Sequence, residues 1–166
     1  FILGIILAVP GEALTICFTV AIFRKYSGGA HAKTAELCTV ISVVYCVAMA
    51  LVAQKLLADI YSPLPMIAAI VIIFGISFWI AYKRVPVDSP NKPIKTKKKI
   101  RRMRIGSFFI LTAYLLISAL LFAFGRSYSV LKAYGISLLF GLSWQVFTLT
   151  KQGAILLSKL SHISKK

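Results

Sequence analysis

The stretch Leu64–Tyr82, which reads LPMIAAIVIIFGISFWIAY, contains no charged residue among its 19 positions. A helix needs about 20 residues to cross the hydrocarbon core of a bilayer. Because lipid offers no hydrogen-bond partners, the backbone of a crossing segment must satisfy its own polar groups, as a helix does. This stretch therefore predicts a transmembrane helix.

Four further apolar blocks of comparable length accompany this one. They are Phe1–Phe23, Leu37–Leu57, Ser107–Phe124 and Ala133–Leu149. Hydrophobic residues make up 59% of the 166-residue chain and charged residues 14%, whereas roughly a quarter of the residues of a soluble domain are charged. This composition excludes a soluble globule, and it excludes a disordered chain as well. We predict an all-α, polytopic transmembrane helical bundle with about five spans, forming a single membrane domain over residues 1–166.

Basic residues are distributed unevenly over the connections between these blocks. Lys and Arg number 20 against 4 Asp and Glu, which gives a net charge of +16. If successive connections lie on opposite sides of the membrane, most of the basic residues share one side, and the segment Lys83–Arg104 carries the largest group. Because cytoplasmic loops are enriched in Lys and Arg, we expect this segment, Arg24–Thr34 and the C-terminus at the cytoplasmic face of the cell membrane. Phe1 then starts at the outer face, and one more N-terminal span is expected.

Three cysteines, Cys17, Cys38 and Cys46, do not suggest a disulfide framework, because their number is odd and two of them lie inside apolar blocks. The chain has only two His residues, and it lacks the four-ligand Cys and His pattern of a structural zinc site. We therefore expect neither a metal nor a cofactor. Cys17 and Cys46 have no His nearby in the sequence, and they fit the role of small apolar side chains in membrane helices.

The most informative stretch for chemistry is Arg24–Cys38, which reads RKYSGGAHAKTAELC and leads into the second predicted span. A thiolate is the nucleophile of cysteine chemistry, and an imidazole can take its proton and later return it. His31 and Cys38 place both groups close together in sequence, at a membrane boundary that water and a peptide can reach. Gly28 and Gly29 allow the chain to turn sharply just before His31.

The spacing of His31 and Cys38 restricts how the two side chains could meet. On one straight helix they would share a face but lie about 10.5 Å apart along the axis, beyond hydrogen-bond reach. A catalytic pair therefore requires that His31 lies on a loop folded back over the start of the helix. Ser42, one turn after Cys38, would reach the same site. The alternative is that His31 is a solvated loop residue and Cys38 a small apolar side chain.

The stretch from Arg24 to Cys38, with Ser42 one turn further on, resembles the signature of the accessory gene regulator B family. A second run, VPVDSPNKPI at Val85–Ile94, is followed by basic residues and resembles the loop between that family's middle helices. The resemblance covers most of the chain, including the order and spacing of the apolar blocks. It implies a polytopic membrane cysteine endopeptidase of Gram-positive bacteria, with His31 and Cys38 as its catalytic residues. Members of the family usually have several tens of residues upstream, for which this chain has no counterpart.

By this resemblance, the protein would cut the C-terminal part from a small amphipathic propeptide. It would then help to cyclise the remainder into a thiolactone or lactone, an autoinducing peptide of quorum sensing. Cys38 would attack the scissile carbonyl, and His31 would act as general base and then as general acid. Gly28, Gly29 and Ser42 would shape the site. The resemblance also implies a homodimer.

The polybasic segment has two interpretations. In the first, its cations only set the topology and attract anionic lipid headgroups. In the second, they also recruit an acidic C-terminal segment of the propeptide. The residues assigned to such recruitment are Lys97, Lys98, Lys99, Arg101 and Arg102. Nucleic acid is not an expected partner, because no aromatic side chains alternate with the basic ones.

Two functions without catalysis compete with the peptidase interpretation. Glu12, Lys55 and Asp59 lie in or near the apolar blocks and would suit a transporter or exporter of small peptides, although no internal repeat supports one. A membrane scaffold would only tether acidic partners through the polybasic segment. Both alternatives tolerate the replacement of Cys38, whereas a cysteine peptidase does not.

Overall fold

A computed structural model of the chain describes residues 2–30, 35–57, 62–87, 96–125 and 127–163. Seven helices account for nearly all of these residues, and the described segments contain no strand. The helices are α1 (Ile2–Ile6), α2 (Pro10–Ser27), α3 (Ala35–Leu51, continued by the π-helical turn Val52–Leu57), α4 (Pro63–Arg84), α5 (Lys97–Phe124), α6 (Ser129–Thr148) and α7 (Lys151–Ile163). The predicted all-α polytopic bundle is thereby confirmed.

Four of these helices are long and apolar enough to cross a membrane, namely α3 with its π-helical turn, α4, α5 and α6. The first apolar block, expected as one span over Phe1–Phe23, is instead divided into α1 and α2. The chain turns between them, with Ala8 at a φ of 57°, and Pro10 begins α2. Proline has no N–H to donate and a φ suited to a first helical turn, so it starts a new helix here.

This division also explains the acidic residue of the first block. Glu12 lies in the first turn of α2 and is buried. The N-terminus of a helix carries a partial positive charge that stabilises a nearby carboxylate. Glu12 thus occupies a helix start, and Asp59, its companion in the transporter interpretation, lies outside the described residues.

The polybasic segment, expected to be a loop up to Arg104, is helical in its last part. Helix α5 begins at Lys97, although the apolar block that predicted it begins only at Ser107. Lys and Arg have high helix propensity, so a helix nucleated in the membrane continues into the basic run. The chain after the last predicted block, which ends at Leu149, likewise forms a helix, α7.

Helix α6 is the central element of the bundle, and most of its side chains are buried against α2, α4 and α5. At Gly141 its backbone lies so close to α2 that an added Cβ would come within 2.9 Å of the Thr19 Cβ. The Tyr114 hydroxyl of α5 donates a hydrogen bond to the Thr19 carbonyl over 3.0 Å. The Tyr45 hydroxyl of α3 donates to the Phe140 carbonyl of α6, also over 3.0 Å. These contacts fix α2, α3 and α5 around α6.

Candidate active site

The turn that follows α2 is built on two glycines. Gly28 has a φ of 72° and Gly29 a φ of 142°, a region that residues with a Cβ rarely adopt. The Gly28 amide donates to the Arg24 carbonyl over 3.0 Å, which closes the last turn of α2. The Val87 amide, from the segment after α4, donates to the Ser27 carbonyl over 2.9 Å. A Cβ on Gly28 would overlap the Val87 carbonyl oxygen, so this turn fits only glycine.

Helix α6 holds the same turn from its other side. The side-chain amide of Gln145 donates to the Gly28 carbonyl over 2.7 Å and to the Ser27 hydroxyl over 3.2 Å. The Ala30 amide donates to the Thr148 carbonyl over 3.1 Å. The backbone is therefore anchored through Ala30, the residue directly before His31.

Arginine side chains form further hydrogen bonds to backbone carbonyls near the helix ends at this end of the bundle. The Arg24 guanidinium donates to the Ala30 carbonyl of the turn. Arg84, at the end of α4, donates to the Leu149 carbonyl over 3.3 Å. Arg104 of α5 donates to the backbone carbonyl directly after α4 over 3.1 Å. Basic residues that are far apart in sequence thus share one end of the bundle with the glycine turn.

Cys38 lies on α3, in the residues directly after its first turn, and its free thiol is half-buried. Ser42 follows one helical turn later, and both side chains line an open cleft of about 280 Å³ between α2 and α3. The remaining walls are mostly apolar. They are formed by Ala13, Leu14, Cys17, Thr39, Val43, Cys46 and Val47. The cleft thus offers an apolar surface beside a thiol.

His31 and the three residues after it lie outside the described residues. The predicted pairing of its imidazole with the Cys38 thiol therefore stays a prediction. The structure describes the sharp glycine turn at the end of α2, which comes directly before His31 in the chain.

The other two cysteines line the cleft that contains Cys38. Cys17 is exposed on α2, and Cys46 is buried on α3. From the sequence, both are expected to be small apolar side chains in membrane helices. A spacing of four residues puts Cys38, Ser42 and Cys46 on one face of the helix. This spacing is a signal in the sequence that predicts part of the cleft wall. Within the described part of the chain, no three His, Cys, Asp or Glu side chains come close enough to hold a metal ion.

The five residues assigned to peptide recruitment lie on the first turns of α5. Lys97, Lys98, Lys99, Arg101 and Arg102 are all exposed. Their charges are therefore available to lipid headgroups or to an acidic peptide, at the end of the bundle where Arg104 joins α5 to the end of α4.

Two residues that hold the glycine turn were not identified from the sequence. Gln145 and Thr148 lie in an apolar block more than 100 positions after the turn that they contact. A polar residue inside a membrane span is itself a signal, because burying an unpaired amide is unfavourable. That signal marks Gln145 as a residue with a partner, but it does not identify the partner.

Comparison with known proteins identifies the family. The model of the family Accessory gene regulator B matches residues 1–149. The AgrB-like protein 2 of Clostridium perfringens (strain 13 / Type A) is 39% identical over 168 residues, covering 99% of this chain and 78% of the relative. An AgrB-like protein of C. perfringens (strain SM101 / Type A) is 36% identical over 170 residues, covering 100% of this chain and 78% of the relative. No solved structure matches the chain. With its four long apolar helices, the chain is therefore a multi-pass membrane protein of the accessory gene regulator B family, which takes part in the processing of quorum-sensing peptides.

Proposed function

We propose that the protein is a membrane-embedded cysteine endopeptidase that cleaves the C-terminal part from a small propeptide and aids cyclisation of the remainder to a thiolactone or lactone. The observation that supports this most directly is the Cys38 thiol, which lines an open and mostly apolar cleft. Such a cleft accommodates an apolar peptide side chain next to a nucleophile. The turn before His31 is anchored at Ala30, whose amide donates a hydrogen bond to the Thr148 carbonyl.

In the first step, His31 takes the proton of Cys38, and the thiolate attacks the scissile carbonyl carbon. The carbon–nitrogen bond of the peptide then breaks. The departing amine receives the proton from the His31 imidazolium, and the acyl group stays on Cys38 as a thioester.

In the second step, a thiol or hydroxyl within the bound peptide attacks the thioester carbonyl. His31 accepts the proton of this attacking group, the bond from the carbonyl to the Cys38 sulfur breaks, and the Cys38 thiolate leaves and is protonated again by His31. Exchange between two thioesters is nearly isoenergetic, so closure of a thiolactone needs no ATP.

The same proposal includes orientation and partners. The end of the bundle that carries the glycine turn and the basic residues faces the cytoplasm, in accord with the excess of Lys and Arg on cytoplasmic loops. The exposed cations on the first turns of α5 recruit an acidic C-terminal segment of the propeptide and contact anionic lipids. Two copies of the chain form a homodimer, as the family resemblance implies.

Cleavage of the cognate propeptide by the purified chain in lipid nanodiscs tests this function. Cys38→Ala and His31→Ala should each abolish cleavage, and a thioester adduct should be trapped on Cys38 in the active protein. Cys17→Ala and Cys46→Ala are matched controls, because each removes a thiol from the same cleft; they should retain turnover. Unchanged cleavage by Cys38→Ala would exclude Cys38 as the nucleophile and with it this mechanism.

A further inference from the structure

Gln145 is a polar side chain near the C-terminal end of α6, and its exposed fraction is 0%. It lies on α6 where this helix passes the glycine turn. A neutral side-chain amide provides N–H donors and an acceptor oxygen, and burial is unfavourable for each group that lacks a partner. Its nitrogen has two partners, the Gly28 carbonyl at 2.7 Å and the Ser27 hydroxyl at 3.2 Å.

The backbone of α6 binds the turn one residue beyond Gly29. Thr148 accepts the Ala30 amide at its carbonyl, and its own hydroxyl donates to the Gln145 carbonyl over 2.7 Å. A Cβ on Gly29 would come within 2.9 Å of the Thr148 hydroxyl and within 3.1 Å of the Gln145 side-chain nitrogen. Gln145 and Thr148 therefore contact the turn on both sides of Gly29, and the peptide that leads into His31 is docked on α6.

The oxygen of the Gln145 side chain is buried, and among the described residues no donor reaches it. A buried acceptor without a donor lowers the stability of the folded state. Within the described residues, the Gln145 side chain therefore contacts the turn through its nitrogen.

We infer that Gln145 is a positioning residue for the reaction at Cys38. It holds the Ser27–Ala30 turn against α6, and so fixes the position of Ala30, from which the chain continues into His31. This inference rests on the proposed function. A general base must lie within hydrogen-bond reach of the proton that it takes, and small displacements of reacting groups reduce rates by about 100-fold.

The substitution Gln145→Met tests this role, because it keeps the length of the side chain and removes the donor to Gly28. We expect kcat for propeptide cleavage to fall about 10- to 100-fold, with KM changed by less than about twofold, since the cleft itself is untouched. Ser137→Ala is the matched control. Ser137 is also fully buried on α6, its hydroxyl also lacks a partner among the described residues, and it lies two turns before Gln145.

A second readout separates positioning from a general loss of structure. The rate of Cys38 alkylation by iodoacetamide, followed at that residue by mass spectrometry across pH, reports how far a paired imidazole favours the thiolate. Gln145→Met should shift this pH profile toward that of His31→Ala. In the double variant, adding Gln145→Met to His31→Ala should change nothing further, because the two residues act through one step.

The outcomes distinguish the inference from the function on which it rests. If His31→Ala alters neither cleavage nor the alkylation profile, the proposed pair itself is wrong. If His31→Ala abolishes cleavage while Gln145→Met behaves as Ser137→Ala does, only the role of Gln145 is wrong. An additive shift in the double variant would also overturn it. Should Gln145→Met fail to fold by its thermal melt, Gln145→Ala removes the same donor to the Gly28 carbonyl without adding bulk, and it carries the same expectation.

Discussion

The amide of Val87 donates a hydrogen bond to the carbonyl of Ser27 over 2.9 Å, and it thereby joins the segment after α4 to the end of α2. This bond places the Val87 carbonyl directly against Gly28, whose φ is 72°. The segment after α4 is therefore one wall of the turn that leads into His31.

Gly28→Ala should disrupt this wall. At this φ and a ψ of −150°, a region essentially restricted to glycine, a Cβ costs about 1–3 kcal/mol. Here it also overlaps the Val87 carbonyl oxygen, which is backbone and has little freedom to move. We expect a lower melting temperature in detergent and loss of most peptide cleavage. Gly75→Ala is the control, because no atom lies within 4 Å of an added Cβ in the middle of α4. Equal effects of the two substitutions would contradict the assigned role of the turn.

Filling the cleft between α2 and α3 should weaken binding of the propeptide. Val43 lines this cleft, and Val43→Phe places a ring in its volume of about 280 Å³. We expect KM for the propeptide to rise at least about 10-fold, equivalent to roughly 1.4 kcal/mol of lost binding, while Cys38 still reacts with a small alkylating reagent. Val44→Phe is the matched control, since Val44 is the next residue of α3 and is 62% exposed. A peptide that is cleaved equally well by both variants would bind elsewhere.

Neutralising the exposed cations at the start of α5 should weaken recruitment and leave the chemistry intact. With Lys97, Lys98, Lys99, Arg101 and Arg102 replaced by Gln, we expect KM for an acidic propeptide to rise about 10-fold at low salt, with kcat unchanged. The difference from wild type should shrink as salt is added, because exposed charges are screened over about 10 Å at 0.1 M. Lys55→Gln, at the far end of α3, should have no such effect. A KM independent of both charge and salt would leave these residues with a topological role only.

Gly141→Ala should loosen the contact between α2 and α6. An added Cβ would lie 2.9 Å from the Thr19 Cβ and 3.0 Å from the Ile16 carbonyl oxygen, so the two helices must move apart. Overpacking of this kind costs about 1–3 kcal/mol. Thermal unfolding in detergent measures the loss, and a melting temperature equal to that of wild type would show that the helices are not in close contact there.

The sequence predicts the helices better than it predicts their ends. Hydropathy places α3, α4 and α6 within a few residues, because the cost of burying polar backbone in lipid leaves few alternatives. It misses the division at Pro10, since one proline does not lower the hydropathy of the block around it. It also misses the start of α5 at Lys97, because basic residues lower the hydropathy of a segment without opposing a helix.

The sequence predicts only part of the candidate site, because some of the contacts in the site join residues that are far apart in the chain. Residue types near one another in sequence, such as Gly28, Gly29 and Cys38, could be recognised from their local pattern. Gln145 reaches the same turn from a position 117 residues away, and no local pattern encodes that contact. Cys17 joins Cys38 in one cleft for the same reason, through the packing of α2 against α3.

The contact between α3 and α6 has a consequence for how the surrounding lipid acts on catalysis. Tyr45 stacks on Trp144 with ring centroids 4.2 Å apart, about 10 Å along α3 from Cys38. In the proposed mechanism the nucleophile is attached to α3, whereas the chain leading to the base is docked on α6, so a rocking of α3 about this ring stack changes the gap between them. Bilayer thickness alters the tilt of spanning helices. The rate of acylation should therefore vary with lipid chain length, so that the amount of signal peptide made would depend on the thickness of the membrane.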